Sequence, residues 1–225
     1  MLTALLKSLA QLNDPAIRKV LGKTIALALV LFVVLFIAIG FLLGETQFFA
    51  IGWLETTTQI LGGLATLVIS WLLFPAIAVL ILGFYLEDVA VAVENRHYPD
   101  LGAPRVQPLR EAMMIAVKFG LIAAALNILI LPLYLIPVVN VLAYYGLNGY
   151  LLGREYFELV ALRRLEEKPA NDLRRTFSGR VVLSGVVIAF LSTLPVINLV
   201  APVIGTLMMV HIVEGLRQKL ASAGK

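Results

Sequence analysis

Four long stretches without a charged side chain dominate the chain: 24–44, 56–86, 119–153 and 181–213. A helix needs ~20 apolar residues, at ~1.5 Å each, to cross a hydrocarbon core of ~30 Å. The first stretch fits one crossing. The second fits one crossing with an interfacial lead-in at Thr56-Thr57-Thr58 and Gly62-Gly63, and Pro75 predicts a kink in it. The third and fourth fit poorly. As straight helices they would be roughly 50 Å long, and two full crossings with a turn need roughly 40 or more residues. Each is divided near its middle by the same motif. The first copy is Pro137-Val138-Val139-Asn140 and the second is Pro195-Val196-Ile197-Asn198. Proline removes a helical donor, so each copy predicts two arms and a turn inside the membrane, covered by protein. The pattern therefore predicts an all-α polytopic membrane protein, with two long transmembrane helices plus two half-membrane re-entrant helical hairpins.

The placement of charge sharpens this reading. All 18 Lys and Arg residues lie outside the loop 45–55, which carries only Glu45 and Glu55. If the third and fourth stretches each crossed once, their basic flanks would fall on alternating sides. If each returns to its own side, one face collects every cation, and the positive-inside bias makes that face cytoplasmic. The expected organisation is one membrane domain, 1–225. It has an N-terminal amphipathic segment at 1–23, spans at 24–44 and 56–86, and hairpins at 119–153 and 181–213. Basic cytoplasmic-side segments lie at 87–118 and 154–180. The segment 24–44 is read as a retained span, not a cleaved signal, because it exceeds the usual signal core and follows a long lead.

Composition supports the membrane class: 60% of residues are hydrophobic, 14% are charged, and the mean hydropathy is +0.95. With no cysteine, disulfides, iron–sulfur clusters and thiolate metal sites are excluded. Enzyme signatures are absent, and neither a metal nor an organic cofactor nor nucleic acid is expected. His97 and His211 stand apart in sequence without metal-ligand spacing.

The strongest polar candidate is Asp14-Pro15-Ala16-Ile17-Arg18-Lys19. Asp14 suits a helix cap and Pro15 the first helical position. The amides of Ala16, Ile17 and Arg18, with the Arg18 and Lys19 charges beside them, form a natural seat for a tetrahedral oxyanion. A second basic helix start lies at 174–180. Arg154, Glu155 and Glu158 share one helix face at the boundary of the third stretch, and Glu158 calls for a cationic partner among Arg154, Arg163 and Arg164. Asn140 and Asn198 are expected to cap the second arm of each hairpin and to line the half-membrane path.

The N-terminal Pro-Ala-Ile-Arg-Lys at 15–19, the stretch 148–164 with its Gly-Arg-Glu-Tyr-Phe-Glu, and the two Pro-Val-x-Asn turns resemble the CysZ sulfate transporters of the etoposide-induced 2.4-like family. The resemblance covers 14–214. It implies a multi-pass bacterial inner-membrane permease that takes up sulfate for cysteine biosynthesis, and assembly into homo-oligomers surrounded by membrane lipid. It also implies sulfate binding at a Gly-(Leu/Ile)-Arg-(Arg) motif, which maps to Ala16, Ile17, Arg18 and Lys19. Alanine replaces the glycine here and lysine replaces the second arginine, which loses a bidentate fork. The absence of a nucleotide-binding motif predicts passive or channel-like passage. The rival readings are a non-transporting membrane scaffold of the same family and a transporter of another oxyanion.

Overall fold

The computed structural model describes residues 2–45 and 52–223, and among these no strand occurs. The helices are α1 (Leu2–Gln11), α2 (Pro15–Glu45), α3 (Gly52–Gly83), α4 (Leu86–His97), α5 (Leu109–Ile130), α6 (Val139–Ala161), α7 (Glu167–Thr176), α8 (Ser178–Thr193) and α9 (Ala201–Ala223). Residues 46–51, in the expected acidic loop, lie outside the described residues. Among the described residues three segments are long and apolar enough to cross a membrane, Pro15–Phe41, Thr56–Gly83 and Leu109–Leu135, and the pair Glu167–Thr176 and Ser178–Thr193, bent by 87°, would make a fourth if it acts as one span. The first two correspond to the expected spans. The third holds the first half of the stretch 119–153, which was expected as a half-membrane hairpin, and its length makes it a third candidate crossing beside the two expected. It begins at Leu109, well before the uncharged stretch, because Pro108 sets the helix start and Arg110, Glu111 and Lys118 are all tolerated within a helix.

The chain divides into two compact units. The unit Arg18–Tyr85 is the pair α2 and α3, and Phe32 meets Phe74 edge-on at 5.8 Å between its two helices. Most of its large apolar side chains, such as Val34, Ile37, Leu67 and Trp71, point outward, as suits a lipid solvent. The other unit contains α1, α4 and both hairpins. Its core is α9, whose first fourteen residues, from Ala201 to Glu214, are all buried.

The two hairpins are locked through glycine. On α6, Gly149 and Gly153 are four apart and face Gly185 on α8. A Cβ on Gly185 would lie 1.9 Å from the Gly149 carbonyl oxygen, and one on Gly153 would lie 2.4 Å from the Val181 oxygen. This is the small-residue packing that lets membrane helices approach backbone to backbone. Gly149 stands against Val186, Gly153 against Val181, and Tyr145 Oη lies 3.3 Å from Thr193 Oγ1. The two helices are therefore antiparallel. Both proline turns lie at one end and the charged helix ends lie at the other.

The two turns are conformational copies. Val138 has φ 69° and ψ −46°, and Val196 has φ 67° and ψ −46°. After Val196 the amide of Ile197 donates to the Pro195 oxygen at 2.8 Å, closing a γ-turn with positive φ, a rare and strained form. A β-branched residue is the least suited to this region. The amides of Asn140 and Asn198 donate to Ile136 and Leu194, at 3.0 and 2.9 Å. The asparagine side chains do not cap: α6 already begins at Val139, and the break is closed by backbone groups. Replacing Val196 with glycine is expected to leave stability unchanged or raise it by ~1 kcal/mol, because relief of strain exceeds the added entropy of the unfolded chain. A melting temperature several degrees lower in the variant would remove the strain argument.

Candidate anion site and polar network

The start of α2 is built by Asp14 and Pro15. Asp14 Oδ1 accepts the Ala16 amide at 3.0 Å, while its Oδ2 accepts a hydrogen bond from the Arg96 guanidinium. The Arg96 hydrogen bond first, and then the Ala16 amide, hold the Asp14 carboxyl below the usual carboxylate range. The carboxylate is thus occupied on both oxygens and its charge is offset. The Ala16 amide, expected as an anion donor, is taken by this cap. The first-turn amides of Ile17 and Arg18 have no intrahelical acceptor. Ile17 is buried, whereas Arg18 and Lys19 are exposed, and among the described residues neither forms an ion pair. Two open cations beside a positive dipole end can hold an oxyanion.

The second polar group sits where α6 leaves its uncharged stretch. Arg154 is buried, its Nε donates to Glu158 Oε1 at 2.7 Å, and its guanidinium lies 5.3 Å from the Phe119 ring centre. Arg174, from α7, brings its Nε to 4.0 Å from the same Glu158 oxygen. Glu155 faces outward on the same helix and joins no ion pair among the described residues. Asn140 and Asn198 lie far from this group, at the turn end, and the structure does not bring them to it. A cavity of about 830 Å³ opens beside Arg154, with Tyr150, Lys118 and Arg174 in its wall.

A model of the sulfate transporter CysZ/etoposide-induced protein 2.4 family matches residues 4–202. The chain belongs to this family. No curated protein sequence matches it. The CysZ/etoposide-induced 2.4 match runs from α1 into the start of α9, so it takes in the α2 helix start, both turns and the Arg154 group. At the level of the family this means a membrane protein of sulfate-transporter type, and the three apolar segments agree with several passes through a bilayer.

Three features of this CysZ-family chain were missed in its sequence. Arg163 and Arg164, offered as partners for Glu158, instead bind Glu94 of α4. Arg163 Nε and a terminal nitrogen each lie 3.2 Å from a Glu94 oxygen, and Arg164 also donates to that carboxylate. Glu94 comes from a distant segment, and no spacing rule connects it to them. His211, isolated in sequence, is a structural hub. Its Nδ1 lies 2.9 Å from Tyr98 Oη and its Nε2 lies 3.1 Å from Gln11 Oε1, tying α9 to α1 and to the end of α4. The Gly149/Gly153/Gly185 seam was signalled only on one side, by the small-xxx-small pair Gly149 and Gly153 within the 148–164 stretch, and packing alone brings Gly185 to it.

Proposed function

We propose that the protein is a sulfate permease of the bacterial inner membrane, importing sulfate for cysteine biosynthesis by passive or channel-like passage. The observation that carries this reading is the α2 start, where Arg18 and Lys19 are exposed and unpaired among the described residues and Asp14 is already neutralised by Arg96 and the Ala16 amide. Arg18, Lys19 and the Ile17 amide capture the dianion, and Ala16 holds the cap in place. Arg154, Glu155 and Glu158 belong to the polar network of the pathway, with Asn140 and Asn198 near its inner end.

The half-membrane reading of 119–153 and 181–213 draws support from arm lengths. From turn to first charge, the arms 139–153, 181–193 and 201–213 measure only ~20–23 Å, short of a ~30 Å core, whereas Leu109–Leu135 is long enough to cross and is the exception. Both turns lying at one end of the α6–α8 pair supports entry of both hairpins from one face. In this reading the whole chain works as one membrane domain, its basic ends lie on the cytoplasmic side, and copies associate as a homo-oligomer in lipid.

Sulfate flux into proteoliposomes tests the proposal. The double variant Arg18→Ala, Lys19→Ala is expected to lose tenfold or more in flux, since each charge-assisted hydrogen bond is worth ~1.5–3 kcal/mol. Its melting temperature should not change, because neither side chain is packed or paired. Folded wild-type protein without sulfate flux sinks the permease and leaves a membrane scaffold. Undiminished flux in the variant sinks the Arg18 site alone.

A further inference from the structure

The cavity beside Arg154 has a charge distribution that ordinary ion pairing does not explain. Two of its cations are already matched. Arg105 makes a fork with Glu111 at 2.9 and 2.5 Å, and Lys118 Nζ lies 3.0 Å from Glu167. The inner wall is different. Arg154 and Arg174 converge on a single carboxylate, Glu158, and one oxygen serves both. It hydrogen-bonds Arg154 at 2.7 Å, while the Arg174 guanidinium donates from a terminal nitrogen to Asn171 Oδ1 at 3.1 Å and its Nε, 4.0 Å from Glu158, is buried without a hydrogen-bond partner. The Arg174 side chain retains 16% of its exposure and the Arg154 side chain 7%. The cluster therefore carries a net positive charge with an unused donor, in a place where unpaired donors and charges are costly. At the rim, Lys168 and Arg175 form no ion pair among the described residues, and nor do Glu166 and Asp172, so the excess positive charge is concentrated at the inner wall.

We propose that Arg154 and Arg174 form a second anion site, distinct from Arg18 and Lys19, which takes a tetrahedral oxyanion into the cavity against Glu158. Arginine suits this task because its planar fork matches two oxygens of a tetrahedral anion, and the cavity volume of about 830 Å³ accommodates one readily. Tyr150 in the same wall supplies a hydroxyl. The Phe119 ring, 5.3 Å from the Arg154 guanidinium, holds that group by a cation–π contact. Glu158 keeps the site from binding so tightly that the anion cannot leave. The same chemistry fits two sources, a free sulfate or phosphate ion and the phosphate of a lipid headgroup. The inference rests on the permease reading only for the identity of a free anion, since the site follows from the cavity itself.

Equilibrium binding of labelled sulfate to purified full-length protein in detergent tests the site, with bound phospholipid followed in parallel by native mass spectrometry. Wild type is expected to bind two sulfates per chain. The Arg18→Ala, Lys19→Ala protein should keep one of them. Arg174→Met retains the aliphatic stem, so it should fold, and it should lose the other sulfate or bind it more than tenfold more weakly. Glu158→Gln removes the competing carboxylate and should bind sulfate several-fold more tightly. If Arg174→Met loses a bound phospholipid while its sulfate stoichiometry is unchanged, the site stands and its anion is a headgroup. If folded Arg174→Met matches wild type in both sulfate and lipid, the proposal is overturned. Failure of transport in proteoliposomes leaves this binding result intact, so the two readings fall separately.

Discussion

Gly185→Leu is expected to prevent the hairpin unit from assembling. No side chain fits between α6 and α8 at this point, since even the first carbon would lie 1.9 Å from the Gly149 oxygen and 2.4 Å from the Gly153 nitrogen. The obstacles are backbone atoms, which cannot rotate aside, so the helices would have to separate along their length. Separation would open contacts on both sides of the seam, including those of buried Val181, Ile188, Leu147 and Leu151. A loss of more than ~4 kcal/mol follows, in the range reserved for overpacking with no escape. Gly153→Val should behave alike. Gly215, on α9, is the control: nothing lies within 4 Å of an added Cβ, and Gly215→Ala should be neutral or stabilise by ~0.5–1 kcal/mol through helix propensity. Thermal unfolding in detergent by circular dichroism gives the ranking. A folded Gly185→Leu protein melting within a few degrees of wild type would refute the close crossing.

Glu94→Gln should come next in severity. Glu94 is 4% exposed and is held by Arg163 and Arg164, whose side chains retain 7% and 5%. Glu87 also reaches Arg163, at 2.6 Å, but from an exposed position. Removing the central carboxylate leaves two buried guanidiniums with one solvated partner, a loss of ~3–5 kcal/mol for breaking a buried pair from one side. Burial pushes the Glu94 carboxyl up, but the hydrogen bonds and charges of Arg163 and Arg164 together outweigh it, and the group ends below the ordinary glutamate range. Its contribution is therefore complete above the unfolded-state value and disappears as pH falls through the lower folded value. Wild type should show an acid-side loss of melting temperature that the Glu94→Gln protein shows only weakly. Equal acid-side slopes in the two proteins would mean that Glu94 is not the titrating group.

The periodicity of charge, more than any motif, made this fold legible. Uncharged runs located α2 and α3, and the repeated Pro-Val-x-Asn located both turns, because proline acts on its own backbone and needs no distant partner. The arms were harder to bound. Leu109 opens α5 ahead of Lys118 since a helix tolerates charge at its wet end, so absence of charge marks the dry part of a helix and not its start. Among site residues, Asp14 with Ala16 and Arg154 with Glu158 are local pairs, and both could be read from spacing. Arg174 with Glu158, Glu94 with Arg163, and His211 with Gln11 are brought together only by packing. Asn140 and Asn198 were misjudged as caps because two valines accept a positive φ, an outcome that residue preferences argue against.

The glycine seam has a consequence for movement. Interlocked main chains cannot slide, because every small shift drives an oxygen into a neighbouring α-carbon. The α6–α8 pair is thus the stationary part of the hairpin unit, a fixed frame. By contrast, α5 lines the first hairpin with most of its residues exposed and others, such as Phe119, half-buried, Ile115 being its sole buried residue among those described. Any widening beside Phe119 and Arg154 would therefore be a swing of α5 about the proline turn at its end, with the seam as the post on which it hangs.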